Sequence, residues 1–185
     1  MAKQVMDIQP GIGMTLSQSN EHLRVAVNGA FTSRFSYNVD PTRDKLNFEI
    51  KNGEVVPVDK HISIPRRIET ILWQRGIKDP NKEMLKKGKE PNRRTVANFI
   101  LGGSRDQMHR LAFGNQEVNL EHGANNSAIK RMPEIENWAK DMYRFMSDRF
   151  GEKNIAAFVV HLDETNPHIH CTVLPITKDE KLSWR

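Results

Sequence analysis

Apolar and polar positions alternate most regularly near the end of the chain. Phe158-Val159-Val160 is apolar and partly β-branched, which predicts a strand from Ile155 that ends at His161. Asp163 to Pro167 reads as a turn, and the chain is extended again from His168 to Pro175. On such a strand His168, His170 and Thr172 share one face, while Ile169, Cys171 and Val173 face the core. Val96 to Leu101 predicts another core strand, ended by Gly102-Gly103. Leu46, Phe48 and Ile50 alternate with Lys45, Asn47 and Glu49, the pattern of a half-buried strand. Asn52-Gly53 then predicts a hairpin turn into Val55-Val56.

Helical spacing accounts for much of the remainder. Pro133 opens and Gly151 closes the clearest helix, with Ile135, Trp138, Met142, Phe145 and Met146 on its buried face and Tyr143 read as core. Ser63 followed by Pro65 predicts a cap and first turn, with Ile68, Ile71 and Leu72 inward up to Gly76. Ser104 caps a short helix to Phe113. Thr15 or Ser17 caps a helix to about Asn28, with Leu16, Leu23 and Val27 as its stripe. The polar segment from Lys78 to Pro91 reads as a loop. This order of elements predicts one α+β domain, with helices packed over a mostly antiparallel central sheet.

The turn between the last two strands changes the picture from fold to chemistry. His161, Asp163, Glu164, His168 and His170 fall within ten residues. If the turn brings His161 beside the His168/His170 pair, three imidazoles form a facial site for one divalent cation, with positions left open for a substrate. An isolated His-x-His on a strand is ordinary; the third histidine at the strand end and the two adjoining carboxylates are what distinguish this segment.

The 185 residues are enough for a single core, and the formal charge of +5 is modest. Its distribution says more. Arg24, Arg34, Arg43, Arg66-Arg67, Lys86-Lys87-Gly88-Lys89 and Arg93-Arg94 all precede residue 100, as a basic groove for a polyanion would require. Solvated loops are the other reading, and the favoured one for Lys82 to Lys89 alone. The lone cysteine, Cys171, excludes an intrachain disulfide and is expected to be buried. There is no membrane-length apolar stretch and no signal-peptide core, so a cytoplasmic protein without membrane insertion is expected.

A second constellation lies upstream: Asn20-Glu21-His22-Leu23-Arg24, then Asn38-Val39-Asp40-Pro41-Thr42-Arg43 and Leu46-Asn47. On a continuous helix His22 and Arg24 would diverge by about 200°. Arg43, following a turn-forming Asp-Pro, could hold a phosphate by a bidentate contact or form a surface salt bridge. Together the two constellations resemble the N-terminal relaxase domain of MobV-type plasmid mobilization proteins, the Mob/Pre family. The signature His-x-Asp-Glu-x-x-Pro-His-x-His is matched at every fixed position from His161 to His170, and Asn-x-Asp-Pro-x-Arg-x-x-Leu-Asn from Asn38 to Asn47. Leu101-Gly102-Gly103-Ser104 is similar to that family's strand and turn.

The resemblance implies a relaxase fold of the HUH type over residues 1–185, as the N-terminal part of a longer protein. It implies metal-dependent nicking and rejoining of one DNA strand at a plasmid or mobile-element transfer origin, through a covalent 5′-phosphate intermediate. His161, His168 and His170 would hold one divalent cation, manganese first and magnesium second, with Asp163 as an acceptor for a ligating imidazole. Glu164 would act beside the nucleophile, and Arg24, Arg43, Asn38 and Asn47 would contact DNA that is single-stranded or forms a hairpin near the cut. Other mobilization or coupling proteins would be further partners. The family's upstream box is His-Asn-x-Arg, with histidine as nucleophile. With Arg24 aligned, that histidine position holds Glu21, and His22 stands where asparagine is expected. His22 is therefore assigned by proximity, and Tyr37 is the reserve because related relaxase families use tyrosine. A rolling-circle replication initiator or single-strand transposase is the nearest alternative. A non-catalytic origin-binding protein with a structural metal is the alternative of another class, and a three-histidine metallohydrolase acting on small molecules is a third.

Overall fold

The structure is a computed structural model that describes residues 4–27 and 38–184 of the 185. Among the described residues, six strands form one sheet in the order β1-β4-β6-β5-β2-β3, antiparallel throughout. They are β1 (Gln4–Gly11), β2 (Phe48–Lys51), β3 (Glu54–Val56), β4 (Val96–Gly103), β5 (Ile155–His161) and β6 (His168–Val173). Helices α1 (Leu16–Leu23) and α2 (Ile64–Gln74) lie over one face, and α4 (Arg105–Phe113) and α5 (Pro133–Phe150) over the other; α3 (Pro80–Lys86) follows α2.

The α+β reading and the antiparallel sheet hold. Strand alternation assigns the faces. Phe99, Leu101, Phe158, Val160, Ile169, Cys171 and Val173 pack with Ile135, Ala139 and Met146 of α5, and Met108 of α4, in the larger core. Ala157 and Val159 point the opposite way, onto Leu23 of α1 and Ile64 of α2. His161, His168 and His170 lie on that second face, beneath α1. β5 and β6 pair in register from Val160↔Ile169 to His161↔His168, which closes the turn that carries the histidine motif. Asn52 and Gly53 have φ of 51° and 78°, the left-handed pair a tight hairpin demands.

Four expectations are corrected. α1 ends at Leu23 rather than near Asn28: Thr15 caps it with a full capping box, but Leu16 is 60% exposed, and the apolar stripe reduces to Leu23. The segment from Lys78 to Pro91 contains α3, capped by Asp79 with Pro80 in its first turn. Phe145 is 45% exposed, its place on α5 taken by Ala139 and Tyr143. Asn47 and Glu49, expected on a solvated face, are buried: Glu49 pairs with Arg67 at 2.5 Å, and Asn47 reaches into the histidine turn. β1 was not anticipated. It is an exposed edge strand whose apolar residues face solvent, so no burial pattern marks it.

Candidate metal and nucleophile site

The histidine turn is held from below by two buried arginines. Arg24 caps α1 in a left-handed conformation (φ 53°, ψ 46°). A non-glycine residue there costs about 1–2 kcal/mol, and the bend turns its side chain back over the sheet. Its Nε and Nη2 donate to the two carboxylate oxygens of Asp163 at 2.8 and 2.9 Å, a bidentate pair, and Nη2 also meets Glu164 Oε1. Arg43, in the 3-10 turn Pro41–Leu46, donates to Asp40 at 2.7 Å and to the carbonyls of Leu162 and Glu164 at 2.6 and 3.3 Å. Asn47 completes the clamp, with Nδ2 2.7 Å from Asp163 and Oδ1 accepting from the Leu162 N–H at 2.6 Å.

Above this clamp the imidazoles converge. His161, His168 and His170 each offer a nitrogen within 4.8 Å of the others, and His161 is grouped likewise with Asp163 and Glu164. His168 Nδ1 donates to the Asn166 carbonyl at 2.8 Å, so its Nε2 presents a lone pair to the cluster, 2.9 Å from His170 Nε2. Two nitrogens that bind one cation at about 2.1 Å as adjacent ligands sit about 3 Å apart, which is the separation seen here. Burial, with the neighbouring positive groups, pushes the pKa of His168 down and that of His170 well down, so both rings are neutral, as ligation requires. Burial alone would raise Glu164; the adjoining His161 and His168 side chains and the Arg24 guanidinium instead hold it well below the usual carboxylate range. Three clustered imidazoles are a donor set that suits a divalent cation, with His161 Nδ1 held 3.1 Å from Arg24 Nη2 in this structure.

His22 lies against this cluster. Its ring stacks on His170 with centroids 4.1 Å apart and planes 26° from parallel, and its backbone carbonyl lies 2.7 Å from His161 Nε2. Burial, then His161 and Arg24, lowers its pKa to about 3. Its Nδ1 is buried with no hydrogen-bond partner among the described residues. Glu21, which takes the histidine position of the family's box, is half-buried and raised by burial.

The expected site residues thus fall into two groups. His22, Glu164, His161, His168 and His170 come together. Asp163 is beneath them, engaged by Arg24 and Asn47, and the acceptors beside the imidazoles are the carbonyls of Asn166 and His22. Arg24, Arg43 and Asn47 face inward, with Arg24 and Arg43 only 3% and 2% exposed, a placement different from a phosphate contact. Asn38 is exposed at the rim of a cavity of about 460 Å³, with Asp40, Arg43 and Thr165. Tyr37 lies outside the described residues. One contributor was missed: His109 of α4 sits 2.8 Å from the Thr165 carbonyl and steadies the turn from the other face. An isolated histidine on a polar helix gives no sequence signal of that role.

Comparison with known proteins agrees with this geometry. A family model described as Mob_Pre, plasmid recombination enzyme, matches residues 114–185. A plasmid recombination enzyme of Bacillus thuringiensis is 24% identical over 151 residues, 82% of this chain and 26% of its own length. One from a Bacillus species is 41% identical over 153 residues, 83% of this chain and 29% of its own. The chain belongs to the Mob/Pre family. It spans between a quarter and three tenths of the length of those curated relatives. Among solved structures, the manganese-bound MobM relaxase domain in complex with plasmid pMV158 oriT DNA superimposes with a TM-score of 0.62 at 20% identity, covering 97% of this chain and 74% of that one. The fold is therefore shared with a relaxase domain of the same family. Among the described residues no helix is long and apolar enough to cross a membrane.

Proposed function

We propose that this chain is the DNA-nicking domain of a plasmid mobilization protein, cutting and rejoining one strand at a transfer origin by transesterification. The observation that carries the reading is the neutral His22 ring, stacked at 4.1 Å on His170 of the three-imidazole cluster, with its Nδ1 unpaired among the described residues. It is a nucleophile held beside a cation site. The Mob/Pre relatives are plasmid recombination enzymes, and the MobM relaxase domain of the same fold was solved on oriT DNA with manganese.

In this reading His161, His168 and His170 hold one divalent cation, manganese first and magnesium second. When bound, it supplies a positive charge that draws electron density from a nonbridging phosphate oxygen. The rest is done by the chain. A lone pair of His22 attacks phosphorus, a P–N bond forms, and the P–O3′ bond breaks; the 3′-oxygen leaves and takes up a proton. The strand's 5′-phosphate stays on the ring as a phosphoramidate, and attack by the 3′-OH reverses the step and reseals the strand. Burial keeps His22 unprotonated for this role. Arg24 fixes Asp163 and Glu164 so that the turn cannot drift, and Glu164 keeps a negative charge beside the imidazoles. Arg43 and Asn47 shape the turn from inside, and Asn38 meets DNA from the rim. The reaction places the protein in the cytoplasm, with plasmid DNA.

The test is to incubate the protein with a labelled origin oligonucleotide and manganese, then map the adducted peptide. An acid-labile adduct on His22 is expected. An acid-stable adduct that persists in His22→Ala and is lost in Tyr37→Phe would move the nucleophile to Tyr37. No adduct with any origin strand, under conditions where the protein binds it, would reduce the chain to an origin-binding module.

A further inference from the structure

The net charge of the chain is concentrated in one short segment. From Lys78 to Arg94 there are seven Lys or Arg residues against three acids, a net +4 where the entire chain carries +5. The fold gives this segment a defined shape. Asn81, at the start of α3, bonds both the N–H and the carbonyl of Arg93, at 2.9 and 2.7 Å. The chain after α3 is therefore folded back, and Arg93-Arg94 is held against the helix start. Lys87, Lys89, Arg93 and Arg94 are exposed, and their side chains make no ion pair among the described residues.

The residue after Arg94, Thr95, lines a groove of about 760 Å³, walled also by Ile68, Leu72 and Trp73 of α2, Lys82 of α3, Val96 of β4 and Leu182. Trp73 is 82% exposed on its lip. Held on a helix, this ring offers a flat apolar face with one polar edge, the shape that stacks on another ring. Arg66 and Lys82 flank it, both paired with Glu69, and Asp79 also lines the wall, so the groove itself is balanced in charge and the cationic surface is the adjoining segment of exposed Lys and Arg. The groove and the imidazoles lie on the same sheet face. Leu174, just beyond β6, packs with Leu72 and Val96 beneath the groove. From His168 to Leu174 is about 20 Å at 3.3 Å per residue, or roughly six nucleotides of stacked strand at 3.4 Å each.

We propose that this groove is a second DNA contact, in which the strand flanking the cut stacks a base on Trp73 and lays its phosphates along Lys87, Lys89, Arg93 and Arg94. It rests on the nicking reading only for the origin of that strand. An exposed aromatic with a basic rim is how sequence-tolerant single-strand sites are built: the ring takes the π-face of any base, and the cations take the backbone. A partner without acidic groups would leave these cations unmet.

The test uses oligothymidylate dT20 and heparin as probes, both in EDTA so that the imidazoles contribute nothing through metal. Removing the four cations together (Lys87→Ala, Lys89→Ala, Arg93→Ala, Arg94→Ala) should reduce the salt slope of dT20 binding by about 3, near 0.7 for each lost phosphate contact. Trp73→Ala should weaken dT20 about ten-fold, the effect of one lost stack, and leave heparin, which has no bases, unchanged. Trp73→Phe should restore most of the dT20 affinity, which a folding defect would not allow. A wild-type slope in the four-site variant would overturn the proposal, as would Trp73→Ala weakening both probes equally or neither. The two readings separate. Adduct formation at an origin with dT20 affinity unmoved in every variant refutes the groove alone. Groove-dependent dT20 binding without any adduct refutes the nicking chemistry alone.

Discussion

The two ends of one sheet face use cationic side chains in opposite ways. At the imidazole end, Arg24 and Arg43 are buried, and every guanidinium nitrogen has an internal partner: Asp163, Glu164, His161 and the Glu21 carbonyl for Arg24, and Asp40 with two turn carbonyls for Arg43. At the α3 end, Lys87, Lys89, Arg93 and Arg94 stand in solvent without ion pairs among the described residues. A buried charge is tolerated only with its partners in place, and removing one partner leaves the other uncompensated. The first set is therefore scaffold, and its loss should be felt as stability. The second set is free to meet phosphates, and its loss should be felt only in binding. Proximity to a motif in sequence does not distinguish the two; burial does.

The largest expected effect separates the ends completely. His168→Ala should abolish manganese binding by calorimetry and lower adduct formation by roughly 10³-fold or more, while dT20 binding in EDTA stays at its wild-type value because the exposed cations are untouched. Nicking by this variant at the wild-type rate in EDTA would remove the cation site from the account.

Next in size is Arg24→Ala. It strips the bidentate partner from Asp163, which is fully buried, and should destabilise the fold by about 3–5 kcal/mol. Thermal unfolding would show this, and the four-site α3 variant should keep the wild-type midpoint. If Arg24→Ala instead keeps its midpoint and loses dT20 affinity with a flatter salt slope, Arg24 is a phosphate contact and the comparison fails. Arg43→Gln should cost less, about 1–3 kcal/mol, since it releases neutral carbonyls and the already part-exposed Asp40.

How much of this was legible depends on what the pattern encodes. The β5–β6 hairpin was readable because its apolar alternation and its histidines obey one period, so a correct strand places all three imidazoles on one face. The burial of Arg24 was not readable. It follows from a left-handed residue at the end of α1, and a helix pattern offers no sign that the chain will turn there. α3 carried a usable signal in Asp79-Pro80, but it lacks an apolar stripe, and its charge run reads equally well as a solvated loop. Asn47 occupied a polar position in a correct alternation and is still buried, because the turn above it presents Asp163 and the Leu162 N–H as partners. Periodicity reports which face meets apolar neighbours; it cannot report a polar network contributed by residues over a hundred positions away.

The smallest effect is a test by pH. Two carboxylates, one at each end, are held below their usual range for different reasons. For Asp40, burial pushes upward, but hydrogen bonds from Thr42, Arg43 and Asn126 outweigh it. For Glu83, the exposed ammonium of Lys86 is the cause. A carboxyl whose folded pKa lies below its unfolded value of about 3.9–4.3 stabilises the fold above that value, and the contribution is lost as pH falls through the folded pKa. Asp40 should therefore contribute fully at pH 7 and give way below about pH 4. Asp40→Asn should be less stable than wild type at pH 7, and the gap should narrow as both are titrated down through that window. Glu83→Gln should follow the wild-type curve throughout, because solvent and salt screen an exposed pair. Parallel acid limbs for wild type and Asp40→Asn would show that the Asp40 network is no more internal than the Lys86 pair. The contrast between a sealed end and an open end would then have to rest on Arg24 alone.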